Sequence, residues 1–237
     1  MGDLNGVIGP SRRTGLGIIT GRDKYPIPDE LVGYFEAAAR MIDDGEAGPA
    51  IKLLEGLLDD GFEHPWVGST LERLYFSVKP GDRPKENSKA SETLLAVIER
   101  YPDYAEAYRW LSVVYSWSGI NEEAAAHAGK ALELDRNSPD NWNAFGLLYL
   151  KQREYDIALD YFLAAYDMEN GYTIGAYNIA CCYANMNEPE RALEYLGVAL
   201  ESKKHVGPAE TDEDLEPIRD LPGFKRVLAD AKERFGV

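Results

Sequence analysis

The side chains with the most reactive chemistry are three histidines and two cysteines, and their spacing forms no recognised site. The histidines, His64, His127 and His205, are far apart, and none pairs with a second histidine at the i, i+4 spacing of a helical zinc motif. Cys181 and Cys182 are adjacent, which suits neither a disulfide between them nor a metal-ligand pattern. We therefore expect no metal, no cofactor and a reducing compartment.

A cluster of carboxylates, Glu210, Asp212, Glu213 and Asp214, is the next candidate for chemistry. A calcium loop would need alternating oxygen ligands and a glycine turn, which this stretch lacks. The cluster precedes an apolar pattern typical of a helix, and carboxylates there interact favourably with the positive end of the helix dipole. We interpret it as N-terminal helix charge.

Three glycines in the stretch GLGIITG, Gly15, Gly17 and Gly21, are similar to a phosphate-binding loop. Such a loop lies between a strand and a helix, and nothing strand-like precedes this one. We expect a flexible or docking tail here. The serines, threonines and cysteines have no general base at a suitable spacing, so we predict that the protein is not an enzyme.

The composition narrows the class of partner. The chain has 237 residues, of which 45% are hydrophobic and 28% charged, as in folded globular proteins. Its 41 acidic and 25 basic side chains give a net charge of -16, which argues against nucleic acid and anionic membrane as partners. No signal peptide is apparent, and no window approaches the roughly 20 apolar residues of a membrane span. We predict a cytoplasmic protein without membrane insertion.

A spacing of 34 residues relates large, small and aromatic side chains along the chain. A small residue lets a second helix approach closely, and a helix pair of this length buries its apolar face only against the next pair. The equivalent residues are Leu111, Phe145 and Ile179; Ser112, Gly146 and Ala180; Tyr115, Tyr149 and Tyr183; Ala124, Ala158 and Ala192; and Ala131, Ala165 and Ala199.

This pattern resembles the tetratricopeptide repeat (TPR). One unit matches almost completely, with Asn170 where the family has its closing proline; the matching residues are Trp142, Phe145, Gly146, Tyr149, Ala158, Phe162 and Ala165. The resemblance implies an all-α fold, a right-handed superhelical solenoid of antiparallel helix pairs with C-terminal capping helices.

The register divides the chain into a tail, an array and a cap. Residues 1–26 form the tail, residues 27–206 the array, and residues 207–237 a helical cap that shields the last apolar face. The five units of the array are 31–64, 65–104, 105–138, 139–172 and 173–206. The second unit has six extra residues, 79–84, whose prolines and glycine interrupt a helix.

In arrays of this family the first helix of each pair lines a groove that binds a peptide. The register therefore implies a peptide-binding surface whose principal residues are Phe35, Arg73, Phe76, Arg109, Val113, Trp117, Asn143, Leu147, Leu150, Tyr177, Asn178 and Cys181. Aromatic and arginine side chains carry much of the binding energy at interfaces. Asparagine amides such as those of Asn143 and Asn178 are suited to holding a peptide backbone.

We predict a non-catalytic scaffold or adaptor that binds a peptide or partner domain in this groove. The alternative is a structural subunit that self-assembles or forms a fixed part of a larger complex. Residues 1–26 carry four basic and two acidic side chains, so we also hypothesise that this tail docks on the acidic array; a disordered leader is the alternative.

Overall fold

The fold consists of helices and turns throughout the described residues. The computed structural model describes residues 28–62, 64, 66–68, 70–71, 74, 89–169 and 171–237, so residues 1–26 with their glycine-rich stretch and their predicted docking lie outside it. The chain divides into two compact units, Met1–Pro102 and Asp103–Val237. Within the described ranges, no helix combines the length and the apolar character needed to cross a membrane. The predicted all-α class is confirmed.

The first unit packs helices around a core of its own. Its helices are α1 (Asp29–Asp43), α2 (Ala47–Asp59) and α3 (Lys89–Arg100), and residues 66–68, 70–71 and 74 are also helical. Leu31 and Phe35 of α1 pack with Leu54 of α2 and with Trp66 and Leu71. The apolar side chains recur at helical spacing, so each helix buries one face.

The second unit begins with three antiparallel helix pairs. These are α4 (Ala105–Trp117) with α5 (Asn121–Leu134), α6 (Pro139–Lys151) with α7 (Tyr155–Met168), and α8 (Thr173–Asn185) with α9 (Pro189–Ala199). Both the first and the second helices start at intervals of 34 residues, as the sequence period predicts. The handedness of the solenoid and its division into five units remain predictions.

The small residue of the pattern marks a close helix approach. A Cβ atom added to Gly146 of α6 would overlap the ring of Phe162 on α7, which is fully buried. Ala158 and Ala165 of α7 are fully buried too. A side chain larger than hydrogen at position 146 would therefore hold the two helices apart.

The turn between α5 and α6 is held by side chains of α6. The Asn141 amide donates to the backbone oxygens of Ala131 at 3.1 Å and Asp135 at 2.8 Å, and the Trp142 indole N–H donates to that of Arg136 at 2.9 Å. The Ala131 oxygen also accepts from the backbone N–H of Asp135, whereas the oxygens of Asp135 and Arg136 lie beyond the end of α5, so the two side chains tie the turn to the helix end. Pro139 begins α6, where a missing N–H costs nothing.

After the third pair, the chain forms short helices and a final long helix. The short elements are the 3₁₀ turn Lys203–His205, α10 (Val206–Thr211), the 3₁₀ turn Glu213–Leu215 and α11 (Glu216–Arg219), followed by α12 (Pro222–Phe235). Leu215, Ile218, Phe224 and Ala231 join the core of α8 and α9, which confirms the predicted C-terminal cap.

Candidate binding surface on the first helices

The first helices of the three pairs, α4, α6 and α8, carry side chains at equivalent positions of the 34-residue repeat. Since α4 contacts α6 and α6 contacts α8, residues at equivalent positions form neighbouring rows. Spacing by four residues keeps the members of a row on one helix face. We call this set the first-helix surface; its α4 row is Arg109, Val113 and Trp117, its α6 row Asn143, Leu147 and Lys151, and its α8 row Tyr177, Cys181 and Asn185.

Arg109 is held in place by its own helix. Its Nη2 atom lies 3.0 Å from Oε1 of Glu106, and its guanidinium carbon lies 4.6 Å from the centroid of the Trp110 ring. The Tyr104 hydroxyl donates to the other carboxylate oxygen of Glu106 at 2.7 Å. This end of the α4 row is therefore a preorganised polar cluster in which Glu106 balances the charge of Arg109.

Trp117 and Lys151 form the exposed end of the first two rows. The Trp117 side chain is 41% exposed, and Nζ of Lys151 lies 3.7 Å from its ring centroid, in cation–π contact. Val113 of α4 is buried, Leu147 of α6 is half-buried, and Leu150 of α6 is buried in the core that α6 shares with α7 and α8. The arrangement places a cation and a large exposed ring side by side, features that concentrate binding energy in protein interfaces.

Asn143 and Asn178 bind each other. The Asn178 amide donates to Oδ1 of Asn143 at 2.7 Å, and the two residues are only 8% and 7% exposed. Their predicted role as holders of a peptide backbone needs correction, because this bond already uses part of each amide. The pair links α6 to α8, and it leaves little surface for a ligand.

The α8 row is covered by the chain's own C-terminal part. The Tyr177 hydroxyl donates to Oδ2 of Asp212 at 2.9 Å, and the Asn185 amide donates to the backbone oxygen of Asp214 at 2.8 Å. We call residues 212–219 the covering segment. Tyr177 and Cys181 were predicted to face a ligand; instead both are buried beneath this segment, which reaches them because the chain turns back after α9.

The same environment makes the Cys181 thiol unreactive. Complete burial raises the pKa of Cys181 well above its ordinary value, and the carboxylates of Asp212 and Asp214 raise it further. Burial is also the main cause that raises the pKa of Cys182, to about 12. Both thiols are therefore protonated at neutral pH and lack the thiolate needed for nucleophilic attack.

Asp212 of the acidic cluster has two roles, a local cap and a long-range hydrogen bond, and the sequence indicated only the first. Oδ1 of Asp212 accepts from the backbone N–H of Asp214 at 3.0 Å and so caps a 3₁₀ turn, in line with the expected N-terminal charge. Its other oxygen binds Tyr177, a partner 35 residues earlier that no local pattern indicates. Burial, together with Asp212, raises the pKa of Asp214, while Lys151 and Arg153 oppose that shift.

The predicted binding residues of the first unit do not form a surface among the described residues. Phe35 is 1% exposed; its ring centroid lies 4.3 Å from that of Trp66 and 5.2 Å from that of His64. Its assignment to the groove is corrected, since an apolar ring at this helical spacing serves the core equally well. Arg73 and Phe76 lie outside the described residues.

A solved structure supports the fold. No family model matches the chain. The crystal structure of a thermophilic TPR protein of Thermus thermophilus superposes with a TM-score of 0.63 at 20% identity, covering 84% of this chain and 97% of that one. A structure of MamA superposes more loosely, with a TM-score of 0.48 at 19% identity over 78% of this chain and 98% of that chain.

One curated relative matches part of the sequence. This chloroplastic protein of Arabidopsis thaliana is 31% identical over 94 residues, which are 38% of this chain and 28% of that protein. The match thus spans little more than a quarter of the relative. Its name places that protein in the chloroplast, and the cytoplasmic location expected for this chain remains a prediction.

Proposed function

We propose that this chain, which has the tetratricopeptide repeat fold, is a non-catalytic scaffold that binds a peptide or partner domain on its first-helix surface. The observation that carries the proposal is the exposed Trp117 ring with Lys151 stacked on it, at the end of the α4 and α6 rows. A large exposed aromatic residue beside a cation is typical of a binding site rather than of a solvated helix face.

Arg109, at the other end of the α4 row, is paired with Glu106 and its side chain is only 12% exposed, so the proposal rests on Trp117 and Lys151. The same rows carry apolar side chains, since Val113 lies four residues before Trp117 and Leu147 four residues before Lys151. A segment with an apolar side chain for the Trp117 ring and an acidic group for the Lys151 ammonium fits this arrangement.

The reactive side chains support a role without catalysis. The His127 ring stacks on Tyr115 with centroids 5.3 Å apart, and the His205 ring stacks on Tyr177 at 5.1 Å. Burial lowers the pKa of each histidine. With the cysteines protonated as well, these side chains serve packing, and a binding role accounts for the exposed residues.

Affinity capture from the native lysate tests the proposal. The double variant Trp117→Ala/Lys151→Ala should recover at least about tenfold less partner than the wild type, because the aromatic anchor and its cation are removed. The matched control is Ile157→Ala on second helix α7, where the side chain is 39% exposed. We exclude Asn143 and Asn178 from the test because their loss would disturb the α6–α8 contact.

Both variants should keep the helicity of the wild type, measured by circular dichroism, and Ile157→Ala should keep its melting temperature as well. Equal recovery of the same partner by the wild type and the double variant would refute the assignment of the surface. The alternative of a self-assembling subunit is tested by light scattering. If the chain assembles through this surface, its apparent molecular mass should rise with protein concentration in the wild type and stay low in the double variant.

A further inference from the structure

The covering segment lies where the register of the array would place a ligand. Tyr177 and Asn185 are the α8 equivalents of Asn143 and Lys151 on α6 and of Arg109 and Trp117 on α4. On α8 this position is filled by residues 212–215 of the same chain, whereas the ends of the α4 and α6 rows carry the exposed Trp117 and Lys151. The structure thus displays one segment bound to the first-helix surface.

The contacts of this segment resemble those of a recognised peptide. A carboxylate of Asp212 accepts from the Tyr177 hydroxyl at 2.9 Å, and a main-chain oxygen, that of Asp214, accepts from the Asn185 amide at 2.8 Å. The next side chain, Leu215, is fully buried in the core of α8 and α9. A main-chain contact between two side-chain anchors holds a segment in register. The bound pattern is Asp-x-x-Leu.

Among the described residues, the covering segment and its surroundings bury polar atoms that have no hydrogen-bond partner, which is uncommon in a protein core. In the part of the chain that the structure describes, Nε of Arg219 is buried without a hydrogen-bond partner, and so is Nε2 of His205 at the start of the cap. Asp214 is a partly buried carboxylate whose main compensation comes from Lys151 and Arg153. Each such group offsets part of the gain from burying Leu215. A segment that buries the same leucine without these polar groups would gain more from binding here.

We propose that the α8 row is a binding subsite for an acidic partner segment of the pattern Asp-x-x-Leu, occupied in cis by residues 212–215 until a partner displaces them. The proposal rests on the proposed scaffold function and names the chemistry of its partner. Lys151 and Arg153 lie close enough to Asp214 to stabilise its charge, and they would do the same for an acidic partner. The covering segment then regulates access to the surface.

The test uses the full chain and a fluorescent peptide of its own residues 209–221. In the wild type the subsite is occupied, so fluorescence anisotropy should show weak binding. Leu215→Ala removes the apolar anchor of the covering segment, and the peptide, which keeps its leucine, should bind this variant at least about tenfold more tightly. Leu228→Ala, a leucine of α12 packed against the same core, is the matched control and should behave as the wild type.

Two further variants make the outcome specific. Tyr177→Phe added to Leu215→Ala should weaken peptide binding again, and so should replacement of the aspartate equivalent to Asp212 by asparagine in the peptide. If Leu215→Ala does not fold, as judged by circular dichroism, Arg219→Gln opens the segment instead, because its donor to the Asp212 backbone is lost.

The proposal is overturned if a folded, opened variant binds the peptide no better than the wild type or the Leu228→Ala control. It is also overturned if the opened variant forms concentration-dependent dimers without taking up the peptide, since the subsite would then belong to a second copy. If the opened variant fails to bind the peptide but partner capture still depends on Trp117 and Lys151, the proposed function stands and only the subsite is refuted. If the opened variant binds the peptide but partner capture does not depend on Trp117 and Lys151, the first-helix surface proposed for the partner is refuted and the subsite stands.

Discussion

Single polar side chains on the first helices are mostly satisfied inside the protein. Asn178 binds Asn143, Tyr177 binds Asp212, and Arg109 pairs with Glu106. A buried polar group without a partner is costly, so residues at ligand-facing positions acquire internal partners when the chain supplies them. The exposed Trp117 and Lys151 differ, because their contact leaves ring and ammonium surface available to a partner.

At the scale of the single residue, we predict that the stability of the protein depends on pH through His205. Burial, with a smaller effect of Lys204, lowers the pKa of His205 to about 4, below its unfolded value of roughly 6.5. The fold therefore favours neutral imidazole. This contribution is fully present above pH of about 6.5 and is lost as pH falls towards 4. Urea unfolding at pH 7 and pH 5 should show a loss on the order of 1 kcal/mol from this residue.

The variant His205→Phe keeps a ring on Tyr177 and has no proton to bind. Its free energy of unfolding should fall less between pH 7 and pH 5 than that of the wild type. Other groups titrate over the same interval, and the comparison of the two proteins cancels them. An identical fall in both proteins would show that His205 does not titrate differently in the folded and unfolded states.

At the scale of the element, aromatic stacks join the helices of the first two pairs, and a close approach at Gly146 adds to the stack in the second. Tyr149 of α6 lies 5.6 Å from Tyr161 of α7 with rings 5° from parallel, and Tyr115 stacks in the same way on His127. These ring stacks join the two helices of one pair.

The close approach of α6 and α7 at Gly146 leads to a second prediction. Gly146→Ala should destabilise the protein by about 1–3 kcal/mol, because the new methyl group meets the buried Phe162 ring, which has no room to move. The matched control is Gly129→Ala in the interior of α5, where an added Cβ has no atom within 4 Å. That change should stabilise the helix by about 0.5–1 kcal/mol. Thermal and urea denaturation measure both effects.

The two glycine variants should thus move the melting temperature in opposite directions. If Gly146→Ala melts at the wild-type temperature, α6 and α7 are not as close as described. A second variant, Gly146→Ala/Phe162→Leu, should recover part of the lost stability if the methyl–ring overlap is the cause.

At the scale of the whole molecule, the described residues form two cores. The larger core contains side chains of α6 to α12, all within Asp103–Val237. The smaller contains side chains of α1 and α2 together with Trp66, Val67, Leu71 and Leu74, all within Met1–Pro102. Each core is a contiguous cluster, which is the usual basis for independent folding of a unit. Repeat arrays distribute stability over such neighbouring packed units.

The unit Asp103–Val237 should therefore fold when produced alone. It contains three complete helix pairs and the cap that shields their last apolar face. We expect a helical circular dichroism spectrum and a cooperative thermal transition. A fragment ending at residue 202, without the cap, is the comparison, and it should melt at a lower temperature or aggregate. A non-cooperative transition in the longer fragment would contradict its independence.

The sequence by itself determined the repeating helix pairs and the cap. Short-range physics explains this success, because Gly146, the alanines of α7 and the apolar residues of α12 reveal their packing through helical spacing and the 34-residue period. The same period put the residues of α4, α6 and α8 in register, and the resemblance to the repeat family implied which of them face one groove. These features depend on contacts between residues close in the chain or related by the repeat.

Only the tertiary structure decided which residues of those rows are open to a partner. The period assigns Tyr177, Asn143 and Trp117 to the same surface, yet the first is covered by Asp212, the second is bonded to Asn178, and the third is exposed. Asp212 reaches its partner across 35 residues through a turn that breaks the period. Exposure depends on where such non-repeating segments return, and no local spacing encodes that.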